Sequence, residues 1–480
     1  MANAFTQAIN NITFTQNGAL TYSSSGNACV DLFSKIGSLR NTPEKNILAM
    51  FVAAFKENPE IALRILAYAR DIRGGLGEKR VYRTIARTLL DKGANLEAFA
   101  DMTIEFGSWK DIFEICTDRE IVHLVRREFS RRASTGERRP NLMEKYMFSI
   151  GGKDNRRAET LARALGLTPK AYRKYLSKAR KDIDIVETHM CANDWEGVKY
   201  DHVPSRASMI YTHAFGRHDS QRYGQYLESV KKGEAKINAK TLYPYEIVRK
   251  ILGTGFGWQL RAKEDPAYEL MWKNLKDYRC DGNSIVVTDT SGSMCSPDYM
   301  PISVAASLAI YFAERNHGAF KGQMITFSDR PAFFEIPDGT LAEKVQRVTE
   351  ADWGGSTNLN GVFDIILSRC VANHVPAEDM PKTIYIVSDM EFNYCGHLTN
   401  YEKIKRQYAQ AGYTCPNIVF WKVNDHGSTP VRFNDNGVAL VSGCSPSVFE
   451  LAVSGDLDPV KFMLNAVNVP RYDIVAKLIS

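Results

Sequence analysis

Near residue 280 the hydrophobic period of this 480-residue chain changes, and that change limits the folds open to it. From Asn46 to Leu275 apolar residues recur at helical spacing, in runs at 46–57, 60–70, 78–90, 94–106, 119–134, 168–182, 220–231 and 244–252. The runs break at Pro59 and at the Gly74-Gly75-Leu76-Gly77 turn, and Thr168-Pro169 supplies a hydroxyl N-cap followed by proline at the first helical position. Helices of this length in pairs predict an α-solenoid, whose repeats, lacking a fixed period in the sequence, would be of a degenerate HEAT kind. Beyond 280 the pattern alternates. Strands are expected near 284–289, 323–328, 332–336, 383–388, 417–423 and 438–442, with helices at 300–316, 341–350, 359–372, 399–411 and 445–454. The predicted class is therefore α + α/β, with a helical domain over 1–279 and a doubly wound α/β domain over 280–480.

Charge follows the same division. Residues 1–275 hold 44 Lys and Arg against 32 Asp and Glu, a net of +12, while the remainder holds 17 against 23, a net of −6. A basic half joined to an acidic one suggests that the first half handles a polyanion. No run of about 18 apolar residues is present, and the Met-Ala-Asn-Ala-Phe-Thr-Gln start lacks the basic and apolar regions of a signal peptide. Nine cysteines are scattered with no Cys-x-x-Cys pair, so a reduced, cytoplasmic compartment is expected, with no membrane association.

The chemistry concentrates where the expected strands end. The apolar run to Asp289 is followed by Ser291 and Ser293 at alternate positions, and Ile384–Ser388 leads into Asp389. In a doubly wound sheet, ligands collect outside the carboxyl ends of strands at the switch point. Two carboxylates there, with the hydroxyls of Ser291, Ser293 and the loop residue Thr357, make an oxygen donor set for Mg²⁺ or another hard divalent cation. Such a set leaves the cation under-neutralised, so it keeps affinity for a carboxylate or phosphate from a partner. In the bland reading, Thr357 caps the following helix and Asp389 merely ends a strand.

Basic residues gather in the helical half. Arg126, Arg127, Arg131 and Arg132 fall on one helix, Arg156 and Arg157 follow, and Arg173, Lys174, Lys178 and Lys181 lie on the run at 168–182, with Tyr172 and Tyr175 interleaved. Lys174, Lys178 and Lys181 share a face at i, i+4 and i+7. These ten cations are the candidate nucleic-acid contacts, since such arrays neutralise phosphates, against the bland reading of each as a solvated charge. Packing against a neighbouring helix is the expected role of the two tyrosines.

The Asp-x-Ser-x-Ser, Thr and Asp pattern over Asp289, Ser291, Ser293, Thr357 and Asp389 resembles the von Willebrand factor A fold with its metal-ion-dependent adhesion site. Thr15–Phe33, Arg70–Arg80, Gly107–Asp111, His202–Arg206 and Gly233–Glu246 resemble a Ro-like family that couples a helical TROVE-type domain to a von Willebrand A domain, in an uncharacterised branch rather than the Ro autoantigens proper. The resemblance covers nearly the whole chain. It implies a ring of HEAT-like helices closed by the von Willebrand A domain, single-stranded RNA ends in the ring and small structured RNA on its basic face.

The Gly74–Gly77 stretch lacks the Gly-Lys-Ser/Thr ending of a phosphate loop and follows no strand, so it reads as a turn. His202 reads as structural. No nucleophile–base pair or carboxylate dyad emerges, and the chain is read as a non-enzyme. The expected function is a ribonucleoprotein-type RNA-binding protein with a Mg²⁺-bearing domain. The alternative is a metal-dependent protein-interaction scaffold that captures an acidic partner.

Overall fold

The structure, a computed structural model, describes residues 11–137, 139–252, 262–278, 283–295, 298–317, 320–328, 330–351, 357–393, 400–424, 427–451 and 457–478. They form two compact units. One runs up to Ile65 and resumes over Ala239–Val469; the other comprises Leu66–Asn238 and the segment from Pro470 onward. The architecture is α + α/β, with the helices in the N-terminal part of the chain and a mixed six-stranded sheet in the C-terminal part.

The first unit is organised by that sheet. Strands β3 (Ser284–Asp289), β4 (Gln323–Phe327), β5 (Ala332–Glu335), β6 (Thr383–Ser388), β7 (Asn417–Lys422) and β8 (Val438–Ser442) take the order β5-β4-β3-β6-β7-β8. All neighbours are parallel except β4 and β5, which form an antiparallel edge hairpin. Every residue of β3, β6 and β8 is buried, which is why these strands read as near-continuous apolar runs rather than as alternation. Helix Met300–Arg315 packs on the sheet and is buried continuously from Pro301 to Ala313. Chain order reverses at β3 and β6, so their carboxyl ends flank the switch point.

Segments outside the expected α/β domain complete this unit. A short hairpin pairs β1 (Ile12–Phe14) with β2 (Leu20–Tyr22). Helix Ala28–Lys35, capped by Asn27, buries Val30, Leu32 and Phe33, and Phe33 meets Phe462 of helix Pro459–Val467. Gly37 N donates to Ser442 Oγ, and an added Cβ at Gly37 would lie 2.7 Å from the backbone of Gly443, so a glycine is needed at this approach. Helix Pro244–Leu252 packs on Met300–Arg315. The compact units therefore divide elsewhere than at 279/280: described residues before Leu66 and between Ala239 and Leu275 carry apolar faces that fit the sheet layer.

The second unit is helical. Capping boxes start three of its helices, at Ser108/Asp111, Thr117/Glu120 and Asn141/Glu144. Helix Pro169–Asp182 begins as expected: Thr168 accepts from Ala171 N, with Pro169 at the first helical position. The interior of the unit holds an ion triad in which the buried Asp111 accepts from the buried Arg70 at 2.6 Å and from the partly exposed Arg83 at 2.8 Å. The 3₁₀ segment Pro470–Leu478 packs on helix Leu96–Phe106, where Tyr472 meets Phe106.

Candidate metal centre and cationic helix

Asp289 closes β3 and is completely buried. Its Oδ1 accepts from Ser291 N at 2.9 Å and its Oδ2 from Ser388 Oγ. The register Thr288↔Val387 brings Asp289 beside Ser388, the residue before Asp389. Ser291 and Ser293 hydroxyls bond each other at 3.0 Å on the short 3₁₀ turn that follows. Asp389, also fully buried, accepts from Glu391 N at 3.2 Å. Between these two acids Met390 holds a left-handed backbone with φ 69, its N–H donating to Ser388 Oγ at 2.9 Å. A left-handed methionine costs of order 1–3 kcal/mol and is tolerated where the surroundings over-determine it.

Thr357 joins the same region from the loop before helix Leu359–Ala372. Its hydroxyl donates to Glu391 O at 2.5 Å, its N–H donates to Asn393 Oδ1 at 3.2 Å, and its carbonyl accepts from Asn393 N at 2.9 Å. The five candidate ligands thus lie along two hydrogen-bonded strings. One runs from Ser293 through Ser291 and Asp289 to Ser388; the other runs from Asp389 through Glu391 to Thr357. Helix capping is the task of Asn358, whose side chain accepts from Gly361 N, rather than of Thr357. Ser388, Glu391 and Asn393 are additions that the sequence pattern did not single out; the run Ser388-Asp389-Met390-Glu391 was a signal for the first two, and Asn393 had none.

The electrostatics fit a cation. Burial, then the charge of Asp389, raise the Asp289 carboxyl well above the usual carboxylate range, against hydrogen bonds from Ser388 and Ser291 that act to lower it. Two buried carboxylates that repel each other, with hydroxyls alongside, suit a hard divalent ion. Because Thr357 gives its proton to the Glu391 carbonyl, its lone pairs remain available for coordination. Among the described residues no group of three or more His, Cys, Asp or Glu is arranged for a metal, so any cation here relies on hydroxyl donors.

The expected basic surface is only partly realised. On helix Asp118–Thr135 the arginines face local partners. Arg126 donates to Ala164 O, Arg127 pairs with Asp101 at 2.8 Å, Arg131 with Glu128 at 2.8 Å, and Arg132 is buried against Glu144 at 2.6 Å. Arg157 pairs with Asp118 at 2.6 Å and covers the Phe148 ring. Carboxylates and carbonyls thus occupy these guanidinium groups, on the same helix for Arg131 with Glu128 and from other segments for Arg126, Arg127, Arg132 and Arg157. Helix Pro169–Asp182 differs. Tyr172, Leu176 and Ala179 are buried, whereas Lys170, Arg173, Lys174, Lys178 and Lys181 are exposed and, like Arg156, show no side-chain hydrogen bond or ion pair among the described residues. The tyrosines pack as expected: Tyr172 donates to Phe148 O at 2.9 Å and Tyr175 to Glu144 at 2.7 Å. Beside this helix a cavity of about 670 Å³ is lined by Arg173, Leu176 and Arg180 together with Lys145, Ser149 and Ile185.

The family model for a domain of unknown function, DUF2828, matches residues 15–134 and 146–278, more than half of the chain. The chain belongs to the DUF2828 family. A second model of unknown function, DUF7788, matches residues 283–460 of this DUF2828 member. The uncharacterized protein L728 of Acanthamoeba polyphaga mimivirus is 29% identical over 507 residues, covering 95% of this chain and 87% of that protein. Among solved structures, the Deinococcus radiodurans RO (RSR) protein aligns over 91% of this chain and 93% of its own, at TM-score 0.35 and 14% identity. Proximal thread matrix protein 1 from the mussel byssus, with a zinc-occupied MIDAS motif, aligns over 41% and 47% at TM-score 0.24 and 14% identity. Both superpositions are loose.

Proposed function

We propose that this chain is a non-catalytic, ribonucleoprotein-type RNA-binding protein whose helical unit, a HEAT-like solenoid in this reading, holds RNA on helix Pro169–Asp182. The observation that carries the proposal is the outward row of Lys170, Arg173, Lys174, Lys178 and Lys181, none of them in a side-chain hydrogen bond or ion pair among the described residues, with only Lys181 feeling the charge of a nearby carboxylate, Asp194. A polyanion is the ligand such a row favours. The adjoining cavity, with Leu176 and Ile185 among its walls and Arg173 at its edge, has room for an unstacked base. The Ro-like resemblance of the sequence supports the same reading. In it Asp289, Ser291, Ser293, Thr357 and Asp389 hold Mg²⁺ or a similar cation, which supplies an open position for an anionic oxygen.

The test is the salt dependence of binding to a single-stranded RNA. Affinity should fall steeply with salt, with a slope of about 0.7 per phosphate neutralised, and Lys174→Glu, Lys178→Glu and Lys181→Glu together should flatten it. Absent or salt-insensitive binding at low ionic strength would refute the proposal.

The two buried aspartates with their hydroxyl neighbours favour a second reading, a metal-dependent scaffold that captures a carboxylate on a partner protein. Partners lost both with EDTA and in Asp289→Ala, with no RNA recovered, would favour it over the first. No helix among the described residues is long and apolar enough to cross a membrane.

A further inference from the structure

We infer that the N-terminal hairpin turn, through Asn17, is a positioning element of the metal centre, setting the direction in which Thr357 offers its lone pairs. This rests on the reading of Asp289, Ser291, Ser293, Thr357 and Asp389 as a cation site. The Thr15–Gly18 turn reaches the loop after Asp389 by four separate contacts. Thr15 Oγ1 donates to Phe392 O at 2.6 Å, Gln16 N donates to Glu391 Oε2 at 2.5 Å, Asn17 Nδ2 donates to Glu391 O at 2.6 Å, and Gly18 forms an antiparallel bridge with Asn393. The far side of the hairpin is also tied down, since Tyr22 and Thr429 exchange backbone hydrogen bonds at 3.0 and 2.8 Å.

The Glu391 carbonyl is the junction. It accepts from Asn17 Nδ2 and from Thr357 Oγ1, which together use both of its lone pairs. Thr357 has one hydroxyl proton. While that proton points at Glu391 O, the oxygen presents only lone pairs to a cation; if the carbonyl turns away, the proton is free to point at the cation and oppose it. Asn17 holds the carbonyl in place. It does so from an exposed position, so its side chain contributes little to packing. The Thr15–Gly18 stretch, left without a role by the RNA and metal readings alone, acquires one.

The experiment is calorimetric titration of the full-length protein with Mg²⁺ and with Mn²⁺, beside the metal-free melting temperature. Partners that orient a metal ligand cost about 10–100-fold in affinity when removed. Asn17→Ala and the nearly isosteric, donor-less Asn17→Leu should each weaken cation binding by about 10-fold or more. Metal-free melting should stay close to that of the natural sequence, and Asn17→Gln, which keeps an amide donor, should recover part of the affinity. Asp289→Ala should abolish binding. Wild-type affinity in Asn17→Leu, with binding lost in Asp289→Ala, would overturn the role of the hairpin and leave the metal site standing. No cation binding by the natural sequence would overturn both.

Discussion

Asp71 and Arg471 lie 400 residues apart in the chain, and Arg471 Nη2 donates to Asp71 Oδ1 at 2.9 Å. Tyr472 OH adds a bond to the same carboxylate at 3.2 Å, and Arg73 N donates to it at 2.9 Å. Asp71 is completely buried at the Gly74–Gly77 turn, while Arg471 is about a third exposed. Burial acts to raise the Asp71 carboxyl, but the hydrogen bonds from Arg471 and Arg73 outweigh it and hold it below the ordinary carboxylate value. The turn that could be mistaken for a phosphate loop is thus the docking point of the Pro470–Leu478 segment.

Arg471→Leu should destabilise the helical unit by about 1–3 kcal/mol, below the full cost of breaking a wholly buried pair because the guanidinium is partly hydrated. The sign with pH follows from the lowered carboxyl. Its contribution is present above the unfolded aspartate value of about 3.9 and is lost as pH falls through the depressed folded value. Urea unfolding of both proteins at pH 7 and near pH 3 should show the gap closing in acid. A constant gap would mean that the ion pair is not its source.

Asp111 offers a harsher case. Arg70 and Asp111 have side chains only 2% and 1% exposed. Asp111→Ala strands Arg70 in the interior and removes the anchor of Arg83, so a loss of about 3–5 kcal/mol is expected, read from the urea midpoint. A loss below 1 kcal/mol would show that water reaches this pair.

Asp289 should behave in the opposite sense without metal. Burial and the neighbouring Asp389 charge disfavour its ionised form, so Asp289→Asn should leave the metal-free protein about 1 kcal/mol or more stabler than the natural sequence. Excess Mg²⁺ should reverse the order: a ligand at 100 times its Kd adds about 2.7 kcal/mol to the protein that binds it and nothing to the variant. Melting curves with EDTA and with Mg²⁺ decide this, and parallel shifts in both proteins would contradict it.

His189 is bonded through both ring nitrogens, to Asp194 at 2.7 Å and to Asp184 at 2.8 Å, and Lys199 also reaches Asp184 at 3.1 Å. Hydrogen bonds to Asp184 and then Asp194 raise its pKa. Its stabilising effect is complete below the unfolded histidine value of about 6.5 and is lost as pH rises through the higher folded value. Proton NMR of the imidazole should give a midpoint above 6.5, and His189→Gln should remove the corresponding step in stability. A midpoint at or below that value would refute the assignment.

Charge reversal should separate the two basic helices. Arg131→Glu, at a residue paired with Glu128 and Glu137, should leave the salt slope of RNA binding unchanged, whereas Lys178→Glu should reduce it by about 0.7. Equal effects would mean that the ion pairs on helix Asp118–Thr135 open for RNA.

Much of the sheet was legible because parallel strands buried on both faces are written as uninterrupted apolar runs, from Ile285–Val287 to Ile384–Val387. The same runs place Asp289 and Asp389 at strand ends. Helices Trp109–Ile115, Leu142–Tyr146 and Val186–Cys191 escaped notice because one or two turns are too short to display a period. The β1–β2 hairpin was hidden because its strands, Ile12–Phe14 and Leu20–Tyr22, are too short to display an alternation. Partners such as Asn17 for Glu391 or Glu144 for Arg132 depend on tertiary placement, which no local pattern encodes.

The unit that carries the sheet is assembled from two separated stretches, and this sets the order of events during synthesis. Gly37 must wait for Ser442, 405 residues later, before it can donate its hydrogen bond. At about 5–20 residues per second the delay is roughly 20–80 s. Throughout that interval Val30, Leu32 and Phe33, buried in the finished molecule, have no sheet to cover them. A nascent chain of this design carries an apolar helix that waits for the strand that covers it, and a fragment that starts at 280 lacks that helix for its own sheet.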